Sequence, residues 1–221
     1  MRPARRFRTP TETRRRSRRP APAGSRSAAG APGVGGREGR SPSIELPAVS
    51  RDITVRAYDA DDERWANELL ETGLGGRYQA RRGSLVDVMD ADALVAERDG
   101  TPVGLLAFRP DGDDVELAAL VVSEPGRGIG TALVEAFLVT AGKRRHRSAW
   151  VVTTNDNLDA LRLYQRRGFR LAALRAGAVD EARRRLKPSI APVAASGIPI
   201  RDELELTIDL RAMLPEGRPG R

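Results

Sequence analysis

The stretch Val115–Thr140, VELAALVVSEPGRGIGTALVEAFLVT, carries the clearest structural signal in the chain. Its apolar run Leu117–Val122 is typical of a strand, and the run breaks at Ser123-Glu124-Pro125. Three alternating glycines follow, at positions 126, 128 and 130. Apolar or small residues then recur at the spacing of one helix face: Ile129, Ala132, Leu133, Ala136, Phe137, Thr140 and Ala141. The stretch therefore predicts a strand, a glycine-rich loop and a helix.

Such a loop is suited to bind a phosphate. Glycine allows tight turns and a close approach of the backbone to a ligand. The first amides of a helix have no partner inside the helix, and the helix dipole makes that end electropositive. We therefore predict that a phosphate or pyrophosphate binds the backbone amides from about Arg127 to Thr131.

Three kinds of phosphate loop were compared with this stretch. The nucleoside-triphosphate loop ends in Gly-Lys-Ser/Thr, and Gly130-Thr131 has no lysine between its members. The dinucleotide fingerprint GxGxxG follows the first strand of a βαβ unit. Here Thr131 stands at its third glycine, and the loop lies in mid-chain. The third kind is the pyrophosphate loop of coenzyme A.

The residues SEPGRGIGTALVEAF resemble the acetyl-CoA loop of the GNAT acetyltransferase superfamily, whose pattern is Gln/Arg-x-x-Gly-x-Gly/Ala. Gly128 and Gly130 match its glycines, whereas Pro125 occupies the Gln/Arg position and the adjacent Arg127 can supply charge. A second stretch, TTNDNLDALRLYQRRGFR at Thr153–Arg170, resembles the later GNAT motif of strand, Asn-x-Asn turn, tyrosine-bearing helix and Gly-Phe. The resemblance covers about Ile53 to Leu214.

This resemblance implies an α+β fold in which a mixed, mostly antiparallel central sheet is flanked by helices. It also implies an acetyl-CoA-dependent N-acetyltransferase that moves an acetyl group from the thioester to a primary amine by direct attack, without a metal. The alternative is a non-catalytic acyl-CoA-binding or regulatory GNAT-like module, which Pro125 favours. The acceptor would be a small-molecule or peptide amine, and neither a membrane nor a nucleic acid is an expected partner of the folded part.

The resemblance also assigns candidate site residues. Tyr164 would protonate the CoA thiolate, although a tyrosine on a helix face can also be a core residue. Glu116 would be the general base, although it can also be a polar surface residue beside other acidic residues. Asn157 would lie near the pantetheine, and it can cap a helix as well. The remaining cofactor-binding candidates are Leu120, Val121, Val122, Arg127, Gly128, Ile129, Gly130 and Thr131.

The other elements follow from hydrophobic periodicity and turn residues. The segment Tyr78–Val88 is ambiguous between a short helix and a loop, and by the resemblance it borders the acceptor site, which makes Tyr78 and Arg81 weak substrate candidates. The alternation from Leu204 to Leu210 predicts a last strand with one wet face. The predicted strands are Ile53–Tyr58, Ala93–Arg98, Val103–Arg109, Val115–Val122, Ala149–Thr153 and Phe169–Ala173, and the helices begin near Asp61, Gly128, Asn157 and Val179.

Composition limits the domain organisation. The 221 residues include no cysteine and one histidine, so disulfides and thiolate or histidine metal clusters are excluded. Residues 1–40 carry twelve arginines and two glutamates, so their net charge is +10, and the rest of the chain carries the difference from +8, a net of −2. We expect a disordered tail over 1–50, a folded domain over 51–214 and a frayed end over 215–221.

The tail can be read in two ways, as a basic arm for nucleic acid or anionic lipid and as an inert extension, and the second is favoured. No apolar run reaches the roughly 18 residues of a membrane span, and no secretory h-region follows the arginines, so a cytoplasmic location is expected. The oligomeric state cannot be read from the sequence.

Overall fold

A computed structural model describes residues 52–211 as a seven-stranded sheet with helices on both faces and a separate two-stranded hairpin. The helices are α1 (Glu63–Leu74, preceded by a 3-10 turn at Ala60–Asp62), α2 (Ile129–Lys143), α3 (Leu158–Arg166) and α4 (Ala178–Arg185). The strands are β1 (Ile53–Ala57), β2 (Tyr78–Arg81), β3 (Ser84–Asp87), β4 (Asp92–Arg98), β5 (Thr101–Asp111), β6 (Asp114–Val122), β7 (Ser148–Thr154), β8 (Arg170–Arg175) and β9 (Glu203–Asp209).

The large sheet has the strand order β1-β4-β5-β6-β7-β9-β8. Neighbouring strands are antiparallel except β6 and β7, which are parallel because α2 crosses over between them. The α+β fold with a mostly antiparallel central sheet is thus confirmed. The predicted meander is also present, since β4, β5 and β6 pair in succession.

The parallel pair β6–β7 is short. Only three residue pairs join the strands, the last between Leu117 and Val151, although β6 continues to Val122 and β7 to Thr154. At the same level β6 contains a β-bulge, since the partner of Phe108 is Leu117 and the partner of Ala107 is Ala119, which leaves Ala118 as the extra residue. Beyond Leu117 the two strands therefore run on without pairing to each other.

Each face of the sheet has its own hydrophobic core. One core contains buried residues of α2 and α3, including Phe137 and Tyr164, packed against Phe108 of β5 at a ring-centroid distance of 5.4 Å for the two phenylalanines. The other core packs α1, through Ala66 and Leu70, against the opposite face. Helices on both faces hold the divergent strands in place.

The segment Tyr78–Val88, for which the sequence did not distinguish a short helix from a loop, forms the hairpin β2–β3. Its two-residue turn is Arg82-Gly83, with φ of 48° and 76°. Positive φ at both central residues is the requirement of a type I′ hairpin, and glycine meets it without strain. A four-residue strand is too short for periodicity to separate it from a helix, so this hairpin was missed.

The predicted disordered tail and the whole of the predicted frayed end lie outside the described residues, and the domain boundaries stay predictions. Between residues 52 and 211, every helix is too short or too polar to cross a bilayer.

Candidate active site

The glycine-rich loop between β6 and α2 is exposed throughout residues 123–128. Gly126 and Gly128 have φ of 80° and 82°, and a Cβ at either position would meet nothing within 4 Å. Glycine is therefore favoured at both positions by the positive φ angles and not by steric crowding.

The start of α2 leaves its first amides available. Gly128 is the N-cap and offers no side chain to bond them, and the first helical hydrogen bond runs from Ala132 N to Gly128 O at 3.0 Å. The amides of residues 129–131 consequently lack an intrahelical acceptor and lie at the positive end of a helix of 15 residues. This end of α2 can bind an anion.

Two further glycines fix the position of this helix end. A Cβ on Gly130 would lie 3.4 Å from Leu163 Cδ2 of α3 and 3.8 Å from Leu120 Cδ2 of β6. A Cβ on Gly104 of β5 would lie 2.6 Å from Ile129 Cγ2, so α2 approaches the sheet there as closely as glycine permits. The sequence analysis did not single out Gly104, because only the folded chain brings it against Ile129.

A cavity of about 650 Å³ lies where β6 and β7 stop pairing. Both divergent strands line it, β6 with residues 117–120 and β7 with residues 151–154, and Leu120 connects it to the glycine loop because that side chain lies against Gly130. The predicted Asn157 and Tyr164 also line it. The lining also includes the end of α1, β2, two residues of α4, Lys187, residues 189–191, Ile200 and Glu203.

Tyr164 is buried on α3 and packs against Phe169 with ring centroids 5.6 Å apart. Burial raises the pKa of Tyr164 far above neutrality, so its hydroxyl remains protonated. Its ring belongs to the core, the residue lines the cavity, and no described residue hydrogen-bonds its hydroxyl. Tyr164 is therefore a core residue that also borders the cavity.

Asn157 caps α3, since its side-chain oxygen accepts a hydrogen bond from Ala160 N at 3.2 Å. The cap does not remove it from the cavity, which it also lines. The helix cap is thus observed, and contact with a pantetheine stays a prediction.

Glu116 is fully buried, so its reading as a polar surface residue is wrong. Arg109 Nε donates to its Oε2 at 2.5 Å, and Arg81 Nε lies within ion-pairing distance of its Oε1. It lines a smaller cavity of about 290 Å³, together with both arginines, instead of the cavity between the divergent strands. A carboxylate held between two guanidinium groups is poorly placed to take a proton from an amine.

Arg81, a weak candidate in the sequence, is a prominent feature of the site. It is 7 % exposed and lines both cavities. Its Nη1 donates to Ala118 O, the carbonyl of the bulge, at 2.9 Å. Its Nε faces Glu116 without hydrogen-bond alignment, and its Nη2 is buried without a partner. Burial lowers the pKa of Arg81, while the charge of Glu116 opposes that shift.

Glu203 is a residue that the sequence analysis missed. It opens β9, is 2 % exposed and lines the cavity. Its two oxygens accept only from the backbone amide of Arg82, at 3.2 and 3.1 Å, and no side chain between residues 52 and 211 forms an ion pair with it. The predicted last strand runs from Leu204 to Leu210 and does not include Glu203, whereas β9 begins at Glu203 and the amide of Arg82 in the hairpin β2–β3 turn donates to its carboxylate.

Within residues 52–211, no group of three or more histidine or acidic residues is arranged to hold a metal ion. The cavity is lined by several kinds of polar side chain, those of Glu71, Gln79, Arg81, Thr153, Thr154, Asn157, Tyr164, Lys187, Ser189 and Glu203.

The domain is an α+β domain whose mixed sheet contains one short parallel pair. A cavity lies where β6 and β7 diverge, and the start of α2, which can bind an anion, lies beside it. The model of the Acetyltransferase (GNAT) family matches residues 57–169. The chain therefore belongs to the GNAT acetyltransferase family.

Relatives and solved structures agree with this assignment. The uncharacterized protein YdhI of Bacillus subtilis is 41% identical over 118 residues, which cover 53% of this chain and 72% of YdhI. A mycothiol acetyltransferase of Clavibacter sepedonicus is 31% identical over 139 residues, 59% of this chain and 46% of that protein. A GNAT family acetyltransferase of Elizabethkingia anophelis, solved with acetyl-CoA bound, has a TM-score of 0.59 at 20% identity and covers 72% of this chain and 99% of its own. At that identity the likeness concerns the fold.

Proposed function

We propose that the protein is an acetyl-CoA-dependent N-acetyltransferase that transfers the acetyl group to a primary amine by direct attack. The observation that carries the proposal is the divergence of β6 and β7 beside the free amides of α2, with Tyr164 among the residues that line the resulting cavity. The start of α2 could bind the pyrophosphate of the cofactor, and the part of the cavity beside Tyr164 could hold its thiol. A cytoplasmic location remains a prediction from the sequence.

The cofactor would bind along β6. Arg127, Gly128, Ile129, Gly130 and Thr131 would hold the pyrophosphate through their backbone amides. Strand β6 has no strand partner on its β7 side after Leu117, and unpaired backbone groups in a cleft require hydrogen-bond partners. The amides of an extended pantetheine can supply them, as peptides do when they extend a sheet. Leu120, Val121 and Val122 are the residues that would pair with it, and Asn157 would bind the same arm.

The chemistry joins the amine nitrogen to the thioester carbonyl carbon and breaks the carbon–sulfur bond. A backbone amide of β6 would stabilise the oxyanion, and the Tyr164 hydroxyl would protonate the departing thiolate. The amine must lose its proton before or during attack. Since Glu116 is already engaged by Arg81 and Arg109, we propose that it orients these arginines, and its role as base has little support from its contacts.

A second candidate is a non-catalytic acyl-CoA-binding module, which the replacement of the usual Gln/Arg by Pro125 favours. The two functions differ in a thiol-release assay with acetyl-CoA and a panel of amines. We expect thiol release that requires an amine, with an acetylated product detected by mass spectrometry. Binding of acetyl-CoA without amine-dependent release across the panel would favour the second candidate. Because the chain spans less than half of the mycothiol acetyltransferase, that substrate is not assigned here.

A further inference from the structure

The residues that line the cavity include two buried side chains of opposite charge, Arg81 and Glu203. Arg81 keeps one guanidinium nitrogen, Nη2, buried without a partner. Glu203 keeps a carboxylate whose hydrogen bonds come from a single backbone amide. Both residues line the cavity and are more than nine-tenths buried.

Arg81 forms an ion pair with Glu116 through Nε, which leaves Nη2 without a partner, whereas Glu203 has no ion pair among the described residues. Burial of a charge without a matching ion pair weakens the fold, because the charge loses its hydration and gains no equivalent contact. Each group makes fewer hydrogen bonds than it can, since a guanidinium has five donors and a carboxylate about four acceptor positions. The unused donors and acceptors are available to a ligand. Buried, incompletely paired groups in a cleft are the usual mark of a binding site.

The two groups are close to each other and to the point where β6 leaves β7. The backbone amide of Arg82, the residue after Arg81, donates to Glu203 at 3.1 Å. The Nη1 of Arg81 binds the bulge carbonyl of Ala118, the first residue of β6 beyond the paired segment. A small molecule that reaches both charges therefore lies beside the segment of β6 where the thioester is proposed to lie.

We propose that the acceptor is an amino acid or a similarly small amine that carries a carboxylate next to its amino group. Glu203 binds the ammonium group, and Nη2 of the Arg81 guanidinium, the nitrogen without a partner, binds the carboxylate. This assignment rests on the proposed acetyltransferase function and narrows its acceptor to one chemical class. The planar guanidinium fork can contact Glu116, Ala118 O and a ligand carboxylate through separate nitrogens, whereas an ammonium is a point charge.

The wild-type protein tests the proposal with matched acceptors. Each amino acid is compared with the amine obtained by removing its carboxylate, and kcat/KM is measured by thiol release from acetyl-CoA. We expect the amino acids to be preferred by about 100-fold or more, since a site built for a polar group rejects analogues that lack it. Equal use of both members, preference for the carboxylate-free amines, or no reaction with any amino acid would overturn the proposal.

Variants separate the roles of the two charges. Glu203→Gln keeps an oxygen for the Arg82 amide and removes the charge, and we expect KM for the amino acid to rise about tenfold or more with an unchanged dissociation constant for acetyl-CoA. Glu205→Gln is the matched control, because Glu205 lies on the same strand, pairs with Arg175 at 2.7 Å and does not line the cavity. An equal rise in KM for both variants would contradict a ligand role for Glu203.

Arg81→Lys keeps a charge but loses the fork, and we expect the preference for the carboxylate to fall about tenfold or more. Arg109→Lys disturbs the same Glu116 carboxylate from outside the cavity, so the preference should persist. Loss of preference in both variants would assign the effect to Glu116 and refute direct binding by Arg81. If Arg81→Lys does not fold, the wild-type comparison still decides. Absence of acetyl-CoA binding would instead refute the underlying acetyltransferase function.

Discussion

Removal of the Tyr164 hydroxyl should affect the rate of the reaction and little else. The hydroxyl makes no hydrogen bond to any residue that the structure describes, and its ring packs on Phe169. Tyr164→Phe keeps that packing. The free energy of unfolding should therefore change by less than about 1 kcal/mol, and the dissociation constant of acetyl-CoA should change by less than about threefold, or 0.7 kcal/mol.

The effect on turnover should be larger. Burial raises the pKa of Tyr164, so the hydroxyl carries its proton at neutral pH but is a weaker acid than an exposed tyrosine. Proton delivery to the thiolate therefore depends on the position of the hydroxyl beside the sulfur as the carbon–sulfur bond breaks. A positioned general acid contributes about 100-fold or more to the rate. We therefore expect kcat of Tyr164→Phe to fall about 100-fold, which corresponds to about 2.7 kcal/mol of transition-state stabilisation.

Three measurements check this expectation together: thiol release for kcat, calorimetry for acetyl-CoA affinity and thermal unfolding for stability. The matched control is Tyr58→Phe, because Tyr58 packs against the other core and lines neither cavity. A wild-type kcat in Tyr164→Phe would remove the acid role. A loss of kcat that accompanies an equal loss of stability would reduce the residue to a packing role.

Three further expectations concern the loop, the packing of α1 and acid stability. Gly128→Ala should lower the free energy of unfolding by about 1–2 kcal/mol, because its φ of 82° is unfavourable for alanine, and it should also weaken acetyl-CoA binding. The control is Gly112→Ala, which has a φ of 60° and equally open surroundings and should lose stability only. Equal acetyl-CoA affinities of the two variants in calorimetry would contradict the loop assignment. Gly73→Ala should destabilise by about 1–3 kcal/mol in denaturant unfolding, because its Cβ would overlap Val121 Cγ1 of β6, and an unchanged midpoint would show that the helix can shift. Asp62→Asn should lose about 1.5–3 kcal/mol at pH 7, since Arg56 donates to Asp62 at 2.6 and 2.8 Å and its hydrogen bonds lower the pKa of that carboxyl. This stabilisation is present above the pKa of an unfolded aspartate, about 3.9, and is lost as the pH falls through the lower folded value, so the two proteins should converge in stability in acid; a constant difference would contradict it.

The features that the sequence predicted are local ones. The run from Val115 to Thr140 contains its own strand, turn glycines and helix face, so hydrophobic periodicity is sufficient to place β6, the loop and α2. The same holds for the helix that carries Tyr164, which begins at a side-chain cap and ends near Gly168. These segments also carried the resemblance to the family.

The features that the sequence did not predict depend on contacts between distant positions. Glu203 lies just before the alternation that predicted the last strand, and its contact is with the amide of Arg82 in a hairpin turn 121 positions earlier. Glu116 looked like an acid on a polar strand end, and it is buried by arginines from β2 and β5. Periodicity reports which face of a strand is apolar, but it cannot report which charged partner will cover a polar face.

The amides at the start of α2 are proposed to bind the pyrophosphate of the cofactor, and every other proposed role follows from that contact. Calorimetric titration of the wild-type chain with acetyl-CoA, and in parallel with acetylpantetheine, which lacks the pyrophosphate, tests this directly. We predict one acetyl-CoA site per chain with a dissociation constant below about 1 mM and binding of acetylpantetheine at least about tenfold weaker. No binding of acetyl-CoA at millimolar concentration, or equal affinity for both ligands, would contradict the account.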